Sequence, residues 1–261
     1  MHTSDLLIGL TAPALQLLLI GILASRKIYR RFPFFFAYTV YSIAAAVVLT
    51  VVIIRFPTRY YEFYWITQFI YGLLALLAII EVFESVLRLF GFDGWGWRVL
   101  LPSAILIIAA ISVSRALYHP LYGQANPLAH LAAGAYAFQL SVHCLQAGIL
   151  LLCLTPRRRY GVLWHYDTGI VAGLGFYAFV SLVAAVIGLK LGGRFEPVFR
   201  YLPAGAYIGA VIVWLFVFVR PEPPRPRLKM TVEERLTLVR RLTAIVKKYW
   251  DIFDSAPCLQ K

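Results

Sequence analysis

The chain has 261 residues, of which 61% are hydrophobic and only 14% charged. Soluble domains are about half apolar and about a quarter charged, so neither a water-soluble globular domain nor a disordered chain fits. The net charge of +13 raises nucleic acid as a partner, but the basic residues sit between apolar runs and in the C-terminal segment. No nucleic-acid module accompanies them, and none is expected to bind. Nineteen arginines against six lysines is the bias of a GC-rich, bacterial genome. The expectation is an all-α integral protein of the plasma (inner) membrane. Cys144, Cys153 and Cys258 show neither CxxC nor Cys/His spacing, so no metal module is expected.

A helix crossing a ~30 Å hydrocarbon core needs about 20 apolar residues. Seven stretches have that character: 6–24, 34–54, 60–87, 99–117, 128–154, 161–189 and 199–219. They predict a seven-transmembrane-helix bundle over residues 1–219. The first stretch is no cleavable signal, because its basic residues follow the apolar run instead of preceding it. Arg26, Lys27, Arg30 and Arg31 then hold its end in the cytoplasm. With the N-terminus outside, 19 of the 25 Lys/Arg fall on the cytoplasmic side, which predicts an N-out/C-in topology. Tyr60, Tyr61, Tyr64 and Trp65 at one boundary, with Trp95, Trp97, Tyr160 and Trp164 at the other, read as interfacial belts.

Residues 220–230 are rich in proline and arginine, and form a stiff linker that cannot be helical. Thr231 and Glu234 make a capping box that opens an amphipathic helix over 231–254, followed by a short tail, 255–261. Its apolar stripe is backed by Arg240, Arg241, Lys247 and Lys248, which suits the anionic lipids of the inner leaflet. A protein partner at the cytoplasmic face is the competing occupant.

Polar side chains within hydrocarbon are costly and seek partners. On the fifth stretch Tyr136, Gln139, His143 and Gln146 recur at spacings that place them on one stripe about 80° wide. Tyr64, Gln68 and Tyr71 do the same on the third. By a rise of ~1.5 Å per residue, Gln68 and Tyr207 lie ~12 Å below the outer boundary and Gln139 ~16 Å. If the third, fifth and seventh helices are neighbours, Tyr64, Gln68, Tyr136, Gln139, His143 and Tyr207 line one outer-half pocket. His143 is expected to be neutral near pH 7 and bonded along the Gln139/Gln146 stripe. The plainer reading is interhelical hydrogen bonding.

Toward the cytoplasm, Glu81, Glu84 and Arg88 share a side of the third stretch, while His165 and Asp167 open the sixth. Two carboxylates and a His-x-Asp are candidates for acid/base chemistry, although a salt-bridged latch accounts for them as well. Only half of a Glu/Glu-x-x-His di-metal pattern is present, so no metal site is expected. No cofactor is predicted. Retinal is disfavoured because no lysine lies mid-membrane on the last helix, and haem because no matched histidines face each other on two helices. Gly169-x-x-x-Gly173 and Gly205-x-x-x-Gly209 are expected to oppose one another in close packing.

Three functions follow. The first is a sensor or receptor-like bundle with the outer-half pocket. The second is a membrane-embedded enzyme or transporter for a lipid or small solute, using Glu81, Glu84, His165 and Asp167. The third is a structural or assembly subunit. Catalysis is the less favoured expectation.

Overall fold

A computed structural model of the chain describes residues 3–89, 95–118, 127–160, 165–191, 196–222 and Arg240. The helices are α1 (Thr3–Ser25), α2 (Pro33–Arg55), α3 (Tyr60–Leu89), α4 (Trp95–Tyr118), α5 (Pro127–Tyr160), α6 (Tyr166–Leu191) and α7 (Glu196–Val219). Their boundaries follow local chemistry. α1 is followed at Lys27 by a left-handed backbone conformation, φ 55°, a conformation costly to any residue with a Cβ. Pro33 opens α2 and Pro127 opens α5, where a missing N–H costs nothing.

α1, α2, α3, α5, α6 and α7 form a ring of successive neighbours that closes between α7 and α1. α3 also reaches α6 across the ring, and α4 packs mainly on the outside of α5. Large apolar side chains cover the outer surface, among them Val51 and Ile54 on α2, Phe69 on α3, Phe179 on α6 and Phe216 on α7. Such a continuous apolar surface suits lipid and not water.

Among the described residues, four helical segments are long and apolar enough to cross a membrane: Pro33–Arg55, Pro57–Phe83, Tyr166–Ile187 and Tyr201–Val219. The expected seven crossings are therefore corrected to four among the described residues. The described apolar parts of α1 and α4 run over Thr11–Ser25 and Pro102–Tyr118 and do not count among these four. α5 is long enough, but His130, Gln139, His143 and Gln146 interrupt its apolar character. The N-out/C-in topology required an odd number of crossings and falls with the count. The four spans pair instead as two hairpins, α2–α3 and α6–α7, and the chain enters the first and leaves the last at the same face. Arg26, Lys27, Arg30 and Arg31 precede that entry and Arg220 follows that exit, which marks this face as cytoplasmic.

The core nearest that face is aromatic. Trp214, Tyr38, Phe35 and Phe218 are fully buried. The Phe35 ring meets Trp214 edge-on at 5.0 Å and Phe218 at 5.7 Å. The Trp214 indole donates to the Ile170 carbonyl at 3.4 Å and lies directly over Gly173. A Cβ at Gly173 would stand 2.2 Å from the indole nitrogen, and one at Gly169 would stand 2.5 Å from Val217. The two glycine pairs thus do not oppose each other as expected. Gly169 and Gly173 receive large side chains of α7, Gly209 faces Phe176, and Gly205 has no heavy atom near its Cβ position.

Replacing Gly173 with Ala is expected to destabilise the bundle by about 1–3 kcal/mol, the usual cost of overpacking. Gly205→Ala, with nothing within 4 Å to meet, should leave the melting temperature of the purified protein close to wild type. Equal melting temperatures for the two variants would contradict this packing.

Candidate functional site

The cytoplasmic end of the bundle is held by an ion-paired cluster. Asp167 lies in the first turn of α6, where the helix dipole favours a carboxylate, and it is almost fully buried. The Arg31 guanidinium, from the connection between α1 and α2, donates to Asp167 Oδ1 at 3.0 Å. It also grips Glu222, just beyond α7, through both terminal nitrogens, one at 3.2 Å. Forked guanidinium–carboxylate pairing of this kind is among the stronger polar contacts in proteins. Burial lowers the pKa of Arg31, but Asp167 and Glu222 outweigh it and hold the value above that of a free arginine.

His165 sits beside this pairing with 1% of its surface exposed. Its Nδ1 is 3.7 Å from Glu222 Oε1, too far for a hydrogen bond. Neither ring nitrogen has a hydrogen-bond partner among the described residues. The exit of α7 is clamped further. Arg26 donates to the carbonyls of Val219 at 2.6 Å and Arg220 at 3.0 Å, and the Tyr166 hydroxyl also donates to Arg220 at 3.0 Å. These contacts satisfy carbonyls that a helix C-terminus leaves unpaired.

Glu81 stands apart from this cluster. Its carboxylate accepts from the backbone N–H groups of Phe34 at 3.2 Å and Phe35 at 3.1 Å. A side chain of α3 therefore caps the first turn of α2, doing from a neighbouring helix what an N-cap residue does locally. The side chains of Glu84, Arg88 and Arg157–Arg159 lie outside the described residues, as do Arg241, Lys247, Lys248 and most of the expected tail helix. Arg240 is helical and exposed.

The outer half holds a cavity of about 410 Å³ between α1, α2, α3, α6 and α7. Its polar lining is Gln16, Ser42, Thr67, Gln68, Tyr177 and Tyr207, with Tyr71 beside them. The Tyr207 hydroxyl is the hub: it meets Ser42 at 3.1 Å, Gln16 and Tyr71. Tyr71 in turn bonds the buried Tyr38, whose ring packs against Tyr71 at 4.7 Å and Trp214 at 6.2 Å. The aromatic layer thus floors the cavity, and the ion-paired cluster lies beneath that layer.

Of the six residues expected to share a pocket, Gln68 and Tyr207 line this cavity. Gln139 reaches it through Gln68, donating to Gln68 Oε1 at 3.2 Å. His143 is buried, bonded to Gln146 Oε1 at 3.2 Å, and meets the Tyr177 ring edge-on at 5.3 Å. Tyr136 is exposed on the outer surface of α5. Tyr64 packs in a separate small cluster with Trp65, Ala132 and Ala135. The expected neighbourhood of α3, α5 and α7 holds only for α3 and α5, since α7 lies between α6 and α1. Gln16, Ser42 and Glu222 were not singled out from the sequence, and Arg31 was read there only as a topology signal. A lone polar residue in an apolar run was the available signal for Gln16, and the sole carboxylate of the proline-rich segment for Glu222.

Comparison with protein-family models, curated proteins and solved structures found no match, so the functional reading rests on these side chains alone.

Arg31→Ala should destabilise the fold by about 1–3 kcal/mol, because the buried Asp167 would lose its guanidinium partner. Adding Asp167→Asn should recover part of that loss. A double-mutant cycle of melting temperatures in detergent reads the coupling, and strictly additive losses would mean that the pair is not coupled.

Proposed function

We propose that the protein is a membrane transporter for a small solute, with the outer cavity as its loading site and the Arg31–Asp167–Glu222 cluster as its cytoplasmic gate. The observation that carries this reading is vertical order. An open, mostly apolar cavity in the outer half, with a polar group at Gln16, Ser42, Gln68 and Tyr207, is floored by packed aromatic rings, and below those rings one guanidinium ties together the entry to α2, the start of α6 and the exit of α7. A path open at one end and closed at the other by reversible ion pairs is what alternating access requires. A receptor-like pocket would account for the cavity alone. It assigns no role to an ion-paired closure directly beneath it, and for that reason transport is preferred. The basic tail helix over 231–254 would lie on anionic lipid beside the gate, with its linker, 220–230, held at Glu222 whenever the gate is shut.

The test uses Gln68→Cys in a chain whose Cys144, Cys153 and Cys258 are replaced by Ser. A membrane-impermeant thiol reagent should modify this cysteine from the outer side only. Adding Arg31→Ala should raise its modification from the cytoplasmic side by about tenfold, the change expected when a two-state gate is biased by ~1.4 kcal/mol. Unchanged cytoplasmic reactivity in a protein that still runs as a single species would rule out this gate.

A further inference from the structure

The chemistry of the outer cavity narrows what it can hold. Its volume of about 410 Å³ lies within the range of small-molecule sites, about 300–1,000 Å³. None of its lining residues carries a charge. An ion entering it would lose hydration without gaining a counter-charge, a cost that neutral solutes do not meet. The polar groups present are of mixed character. Amides at Gln16 and Gln68 and hydroxyls at Ser42 and Tyr207 offer donors and acceptors together, so they match a neutral group that itself both donates and accepts.

The apolar lining points to the shape of the remainder. α1, α2 and α7 contribute Ala12, Ala45, Ala46 and Ala204, small side chains that let a ligand approach the helix backbones. Tyr71 and Tyr177 contribute rings, which pack favourably against a flat π-system. Gln68 already accepts from Gln139 through its oxygen, an arrangement that turns its amide nitrogen into the donor for a ligand carbonyl.

We propose that this cavity binds an uncharged aromatic or heteroaromatic amide, the ring lying among the alanines and tyrosines and the carboxamide edge paired with Gln68 and the Gln16–Ser42–Tyr207 group. This inference deepens the transporter reading and rests on it for the claim that the bound solute is cargo.

The experiment compares three probes of nearly equal size, benzamide, benzoate and benzylammonium, by titration calorimetry and thermal shift on the full chain in lipid nanodiscs. Benzamide should bind with at least about tenfold higher affinity than either ion, since each ion enters a site without a compensating charge. Gln68→Leu should weaken benzamide by about tenfold, the effect of losing one hydrogen bond to a half-buried amide. Should Gln68→Leu fail to fold, Ala46→Phe provides the second arm. It fills the cavity from an exposed wall position and should abolish binding without touching the polar group. Three outcomes overturn the proposal: equal binding of all three probes, benzamide binding that survives Ala46→Phe, or no benzamide binding with the cavity competed only by long-chain lipid. Failure of the two readings is distinguishable. Benzamide binding with a gate indifferent to Arg31→Ala refutes transport alone, whereas a responsive gate without benzamide binding refutes this ligand class alone.

Discussion

The guanidinium of Arg31 fixes the cytoplasmic end of the molecule. It reaches the first turn of α6 through Asp167 and the residue group just past α7 through Glu222, while its own backbone leads into α2. Three chain segments distant in sequence are thereby held at one point. In a membrane protein this matters more than a surface ion pair would in water. Packing of apolar helices within lipid has no hydrophobic driving force to fix which helix lies where, so a shared, partly buried charge network contributes positional specificity that greasy surfaces lack.

The rest of the polar inventory follows the same economy of satisfied groups. Glu81 covers two amides of α2 that no residue of its own approach segment caps. Arg26 and Tyr166 cover the carbonyls at the end of α7. Deeper in, Gln68 pairs with Gln139 and His143 with Gln146, leaving hydrocarbon-facing surfaces to apolar side chains. His165 departs from this pattern, being buried beside the ion pairs with both nitrogens lacking hydrogen-bond partners among the described residues. A group desolvated without compensation costs stability, and its place at the proposed gate is where a rearrangement would offer it a partner.

Much of the fold was legible in the sequence, because apolar runs and prolines mark helices directly. The helical segments lie where the runs predicted them, and the meeting of His165 and Asp167 in a cytoplasmic ion cluster followed from their position at a helix start. What could not be read was adjacency. Glu81 shares depth with Asp167, yet it points to α2 and not to the cluster, and depth along a helix carries no information on azimuth between helices. Tyr136 shares a stripe with His143, but a stripe about 80° wide straddles the line between bundle and lipid, and Tyr136 falls on the lipid side. The number of crossings was overread for a related reason. A run such as α5 looks long enough by residue count, although the polar side chains that made it interesting are those that weaken it as a membrane span. Gln16 and Glu222 had partners only in three dimensions, at sequence separations of 191 residues in both cases, beyond any local pattern.

The fit of Trp214 over Gly173 has a mechanical consequence. The indole occupies the volume of a missing side chain, so α6 and α7 are keyed like a tongue in a slot. Displacing α7 along α6 would carry the ring off the glycine toward the side chains one turn away on the same face, those of Ile170 or Tyr177. Sliding is therefore blocked at this contact, while joint rotation of the two helices is not. A large motion of this protein would therefore move α6 and α7 together as one lever, since sliding within the pair is what the Trp214–Gly173 contact opposes.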